Sequence, residues 1–399
     1  MVFRQHGPPP GASVIDDRLS RRQALGQLGV LAAAGAVALP ITAAAQEARG
    51  WDGQPPPAPG QAPPNFLGFD LEASTPQTFS GGAIRTLTQT EMPALDGLSF
   101  FAVQFDPSGL GELHWHANAH ELGYQLAGEG EVGILAPDGT GTTTPIEPGA
   151  VTFIPRGYAH YFRNVGAGPM HRIACFTHAA PETYLLSSTL QPVPQTVLAA
   201  TFGLGPNEFP FLAARGTQFI VKMPGGAPAL PATTPNRYSV QSAAVDPTVF
   251  AGGTVREIGG KDIPALDGAT VFPVQIEAFG MREPHWHTNA NELTYVMRGH
   301  AQFGIVAPDG GVQSFVIGPG AAAFVPLNWF HYAANVSDEP LAMLAFYNHA
   351  QPSHIDLSQT FAFFPPAVLA ASFALDPKRF ADLPKRGDVV IAPAPPGIE

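Results

Sequence analysis

The chain has 399 residues, of which 45% are hydrophobic and only 13% charged, a length and composition that exclude intrinsic disorder and accommodate two domains with sizeable cores. A formal net charge of −12 argues against nucleic acid or an anionic membrane as partner. The one cysteine, Cys175, excludes an intramolecular disulfide and, in the apolar run "RIACF", reads as a small core residue.

The first predicted element is a leader. Arg21 and Arg22 precede an uncharged run from Ala24 to Ala45 that ends in Ala43-Ala44-Ala45, a small-x-small cleavage pattern. Its apolar core, Leu25 to Leu39, is short for a membrane span. Residues 1–45 therefore read as a twin-arginine-type signal peptide, with an ordinary secretory leader or an uncleaved anchor as alternatives. The expectation is export to the periplasm or the extracellular space, with no stable membrane insertion after cleavage. Residues 46–63, which include most of "WDGQPPPAPGQAPP", read as a Pro/Gly-rich arm or linker that cannot bury a core.

The remainder repeats itself at an offset of 171 residues. "PALDG" recurs at Pro93 and Pro264, "APDG" at Ala136 and Ala307, and "TVLAATF" from Thr196 is answered by "AVLAASF" from Ala367. Two copies of one domain are expected, over 64–228 and 229–399, joined by "PGGAPALPATTP". Short apolar runs such as "SFFAVQF", "VGILA" and "VTFIP", bounded by turns in a chain with 43 Gly and 43 Pro, predict strands of a sandwich or barrel. The "VLAASF"-type stretches after prolines predict short helical appendages.

In "ELHWHANAHELGY", Glu112 to Tyr124, His114 and His116 flank Trp115. Residues two apart on a strand share a face, so both imidazoles point one way and the indole the other. "ANAH" is the right length for a hairpin connection, after which Glu121 can turn back toward the histidines. His160, beyond the turn "PRG", completes the set. The second copy, "EPHWHTNANELTY", holds His285, His287 and Glu292, with His331 at the matching distance. Three neutral imidazoles and a carboxylate make an N/O metal site, and an octahedral ion would keep two positions open for a small ligand. Ligand type alone admits Mn, Fe, Cu, Ni or Zn. His120 pairs with Asn291 and reads as a turn residue; His178 and His349 match and read either as groups at the mouth of each site or as structural ones. Trp115 and Trp286 read as packing residues.

HxH, four residues, Glu, then a distant His after a Pro-containing turn resembles the metal signature of the cupin barrel, and two "HWH" domains in tandem resemble the oxalate decarboxylase-like bicupins. The resemblance runs from about Pro64 onward and is closest at "MREPHWHTNANELTYVMRG", Met281 to Gly299. It implies an all-β chain of two tandem cupin (double-stranded β-helix, jelly-roll) barrels. It further implies Mn(II) in each barrel, two per chain, and cleavage of oxalate to formate and carbon dioxide with dioxygen as cofactor. The family's substrate arginine falls, by position, on Gly111 in the first copy and on Arg282 in the second. The acid of its loop is represented in the first copy by Glu182, in "FTHAAPETYLL", while in the second copy the acidic position falls near Ala345.

Arg282 and Glu182 are thus the candidate catalytic residues, with Arg282 favoured and a structural ion pair as its alternative role. A small carboxylate such as oxalate is the expected partner, and a homo-oligomer is left open. The function readings are an exported oxalate decarboxylase-like lyase, an oxalate oxidase or dioxygenase on the same scaffold, and a non-catalytic metal- or ligand-binding bicupin.

Overall fold

The computed structural model describes residues 66–205, 218–224, 232, 236–383 and 391–392. The leader, the arm and most of the segment joining the copies lie outside the described residues.

Each copy folds as two facing antiparallel sheets. In the first copy one sheet runs, edge to edge, 141–146, 130–135, 159–164, 109–116 and 183–185, with 220–222 also paired to 109–116. The other runs 150–154, 121–127, 170–176, 99–105, 82–87 and 77–79. The second copy repeats both sheets at the offset, for example 281–287 beside 330–335 and 292–298 beside 341–347. The expected all-β architecture of two tandem barrels is what forms. Turn chemistry explains the spacing: in both "APDG" hairpins the glycine, Gly139 or Gly310, adopts φ +84° or +87°, which residues with a Cβ rarely adopt. The helical appendages also form, at Leu186–Leu190 and Gln195–Thr201 after the first barrel and at Leu357–Phe363 and Pro366–Phe373 after the second. Among the described residues no helix is long and apolar enough to cross a membrane.

Sheet membership does not follow the sequence division between 228 and 229. Strand Gly68–Asp70 of the first copy pairs with 321–325 of the second barrel, Gly68 opposite Ala323. Its counterpart Ser239–Gln241, from the second copy, pairs with 150–154 of the first barrel, Ser239 opposite Thr152. Both pairings are the same contact displaced by the repeat offset. A short edge strand cannot reveal its partner from sequence, because the partner is a long way off along the chain.

The exchange is sealed by a core common to both barrels. Phe100, fully buried, sets its ring edge-on to Tyr295 at 6.3 Å and to Phe346 at 5.3 Å. Leu67, Phe153 and Ile173 belong to the same apolar cluster as Leu293 and Phe324. Cys175 lies in it too, and burial pushes its thiol well above the ordinary range. Phe100→Ala should cost about 3–5 kcal/mol, the usual penalty for a cavity of this kind. Because the two barrels share that core, urea unfolding followed by fluorescence should show one transition displaced as a whole, not two that separate.

Candidate metal centres

Strand alternation puts His114 and His116 inside the first barrel, each 2% exposed, while Trp115 faces outward and stacks on Tyr184 at 5.5 Å. Register then brings His160 directly opposite His114. Glu121 opens the strand Glu121–Ala127 after the turn, as the connection length predicts, and is 4% exposed. The second barrel repeats the construction, with His285 opposite His331. In each barrel the four side chains present ligand atoms that all lie within 4.8 Å of one another. The Nε2 atoms of His116 and His160 stand 3.2 and 3.3 Å from Glu121 Oε2; those of His287 and His331 stand 2.9 and 3.5 Å from Glu292 Oε2.

Backbone carbonyls fix the tautomers. Nδ1 of His160 donates to Tyr158 O at 2.9 Å, Nδ1 of His285 to Glu283 O at 2.8 Å, and Nδ1 of His331 to Trp329 O at 2.9 Å. His114 bonds Glu112 O in the same way. With the proton held on Nδ1, the Nε2 lone pair points into the cluster, as metal-binding histidines require. Nε2 of His160 and of His331 is buried and has no hydrogen-bond partner, the condition a bound cation would relieve. Burial, reinforced by neighbouring positive charge, holds His114 and His285 well below the usual imidazole range, so both are neutral donors. Burial opposes the charge of Glu121, but Arg172 first, and then His116, outweigh it and hold the carboxyl well below its ordinary value. At Glu292 burial is likewise outweighed, with the His287 contact first, and the carboxyl is again held low. Neutral imidazoles around an ionised carboxylate fit a divalent ion at both places.

The two centres differ in what surrounds the carboxylate. In the first, Arg172 is 2% exposed and its Nη2 donates to Glu121 Oε1 at 3.0 Å and to Thr152 Oγ1 at 3.1 Å. Its guanidinium lies 3.4 Å over the Phe162 ring, and Phe219 packs against His114 at 4.9 Å. In the second, Met343 and Ala333 replace Arg172 and Phe162 at the repeat offset, and a cavity of about 100 Å³ opens onto the ligands. There Glu292 is held by hydroxyls instead, Thr294 Oγ1 at 2.6 Å and Tyr347 at 3.1 Å.

Arg282 lines this cavity beside His285, His287, Glu292 and His331. Its Nη2 also lies 2.6 Å from Asp356 Oδ1. The structural ion pair expected as its alternative role is therefore present, with Asp356 as partner; the neighbouring Glu283 binds Ser358. Asp356 and His354 lie in "FYNHAQPSHIDL", the stretch after Ala345, which contains no Glu. They sit on the short strand His354–Asp356, antiparallel to the HWH strand, which sets Asp356 opposite His285 and His354 opposite His287. The signal available in sequence is a paired change between copies: Gly111 becomes Arg282 where Leu185 becomes Asp356. Glu182 is exposed; its backbone N–H donates to Asn118 Oδ1 and its carbonyl accepts from Ala117 N–H. The structure thus groups the eight expected metal ligands in two fours, places Arg282 in the second cavity wall, and leaves Glu182 at the surface after the first barrel.

His120, His178 and His349 make local contacts. His120 Nδ1 accepts from Arg156 N–H and its ring stacks on Phe153. Nδ1 of His178 and of His349 accept from the N–H two residues on, which rigidifies matching loops. Replacing His114 and His116 together by alanine should remove one of two bound divalent ions and leave the other. Metal analysis of the purified variant decides it; loss of both or of neither would contradict two separate centres.

Comparison with known proteins agrees with this geometry. The chain is 26% identical over 336 residues to oxalate decarboxylase OxdC of Bacillus subtilis (strain 168), covering 82% of this chain and 87% of that one. It is 26% identical to a probable oxalate decarboxylase of Arthroderma benhamiae, covering 80% and 81%. A solved structure of the B. subtilis enzyme superposes with a TM-score of 0.73 at 24% identity, covering 82% of this chain and 88% of the other. Another structure of that enzyme, studied for its Mn(II) centres, matches with the same score. The Cupin profile matches residues 70–209 and 243–380, more than half of the chain and once for each metal centre. By fold, by ligand set and by these matches, the chain belongs to the cupin family, as an oxalate decarboxylase-like bicupin.

Proposed function

We propose that the protein cleaves oxalate to formate and carbon dioxide as a manganese- and dioxygen-dependent lyase, and that the second barrel carries the reaction. The observation behind this assignment is that a His₃Glu set, a cavity and Arg282 in the cavity wall come together in the second barrel. His285, His287, Glu292 and His331 would hold the ion, which when bound supplies a Lewis acid for a small carboxylate. Arg282 is suited to the same carboxylate because a planar guanidinium offers paired, charge-assisted hydrogen bonds. Asp356 lies against that guanidinium and offsets part of its charge.

In the balanced reaction the C–C bond of hydrogen oxalate breaks, carbon dioxide leaves, and a proton ends on the carbon of formate. Glu257 and His354 both line the cavity, and either could deliver that proton. Burial, and next the charge of Arg282, push His354 below the usual imidazole range, so its imidazolium gives up a proton more readily than a free one. Phe250, Val255, Phe272 and Val274 make the rest of the wall apolar. That favours, as a second reading, oxidation of a carboxylate that carries an apolar group.

Export by the twin-arginine route belongs to the same proposal, supported by Arg21-Arg22 and the apolar run that follows them. Changing both to lysine should stop export of a tagged full-length chain, measured by cell fractionation.

With manganese-loaded protein, oxalate should yield formate in equal amount. Arg282→Ala should lower turnover about 10²-fold, the scale for loss of one charge-stabilising donor, with both ions retained. Glu182→Ala should change it by less than about threefold, since an exposed carboxylate away from the reacting atoms contributes little to binding or orientation. Peroxide without formate would favour the oxidase reading. Abolition of turnover by Glu182→Ala, with Arg282→Ala unaffected, would move the reaction to the first barrel.

A further inference from the structure

We propose that Arg172 makes the two metal centres unequal, weakening divalent-ion binding at the first relative to the second. The inference concerns the ions alone; it rests on both clusters being metal centres and is independent of which reaction follows.

Arg172 is buried and its Nη2 lies 3.0 Å from Glu121 Oε1, so a permanent cation shares the carboxylate that an ion at the first centre would use. Two effects compete. The arginine keeps Glu121 ionised and aims it, which helps an ion. It also neutralises Glu121 beforehand and repels a second cation through a medium of low dielectric. Orientation does not need a cation, because at the second centre Thr294 and Tyr347 position Glu292 with neutral hydroxyls. What a guanidinium adds over such neutral donors is its charge, and that charge repels the ion.

Arg282 is also a cation close to a centre, but its carboxylate partner is Asp356, which is not a ligand. The carboxylate partner of Arg172 is the ligand itself. Among the described residues its other contacts are neutral: Nη2 also donates to Thr152 Oγ1, its face rests on Phe162, and its Nε and Nη1 have no hydrogen-bond partner. Because the pair is buried, dissolved salt reaches it poorly.

The chain is built around this contact. A Cβ on Gly123 would lie 1.9 Å from Arg172 Nη2, so a side chain there would push the guanidinium from this position. The second copy has Thr294 where the first has Gly123, and Met343 where it has Arg172. Each copy holds a coherent pair: glycine with arginine, or threonine with methionine.

The test is Mn(II) titration of the metal-stripped full-length protein, following free Mn(II) by electron paramagnetic resonance. Two classes of site should appear, separated by at least about tenfold in Kd, with the gap persisting at high salt. The weaker class should vanish in His114→Ala/His116→Ala and remain in His285→Ala/His287→Ala. Arg172→Met with Gly123→Thr should bring the weaker class to within about threefold of the stronger, whereas Arg172→Lys, which keeps the charge, should preserve the gap. Two equal sites, or a weaker class that vanishes with the second histidine pair, would overturn the proposal, and both are read on chains that retain Arg172. A gap unchanged in the double substitution would overturn it as well. Failure to bind any ion would overturn the metal-centre reading itself.

Discussion

A carboxylate ionised in a protein interior must be compensated, and this chain buries one inside each barrel among three imidazoles. Glu121 and Glu292 decide how the neighbouring strands are furnished. The first barrel compensates with a guanidinium and lays it on an aromatic ring. The second compensates with hydroxyls, and Ala333, where the first copy has Phe162, lines its cavity. The same charge is thus stabilised in two ways in two differently furnished interiors.

The substitutions that separate the copies come in physically coupled sets. An arginine at 282 without Asp356 would lose the carboxylate that lies 2.6 Å from its Nη2, a costly change near buried ligands. Arg172 without Gly123 would be pushed from its position. Such coupling lets one scaffold support two chemically distinct interiors while the ligand positions stay fixed. The ligands are set by strand register, and the interiors by the residues facing them from the opposite sheet.

The barrels and the ligand sets are legible in sequence because their signals are local. A period of two places His114 and His116 on one face, a hairpin returns Glu121, and the repeat offset confirms each position. Arg172, Asp356 and His354 are not legible in this way. In "RIACF" the strand is buried on both faces, with Ile173 and Cys175 toward the core common to the barrels and Arg172 and Phe176 toward the ligands. A run that is apolar on both sides does not advertise which face its one charge occupies. Asp356 meets Arg282 only through the register of a three-residue edge strand. The strand exchange is hidden for the same reason, since pairing partners far apart in sequence carry no local mark.

The reciprocal exchange of Gly68–Asp70 and Ser239–Gln241 has a consequence for how a single barrel could exist. Each barrel completes a sheet with a strand it does not encode within its own repeat. A chain carrying one copy would therefore present an unfilled sheet edge and an uncovered apolar face, and both would be satisfied by a second identical chain donating its own N-terminal strand across a two-fold axis. The duplicated protein is, in this sense, a strand-swapped homodimer made covalent. Joining the halves frees them to differ, because a substitution in one no longer appears automatically in the other, and an arginine-filled interior can stand beside an open one.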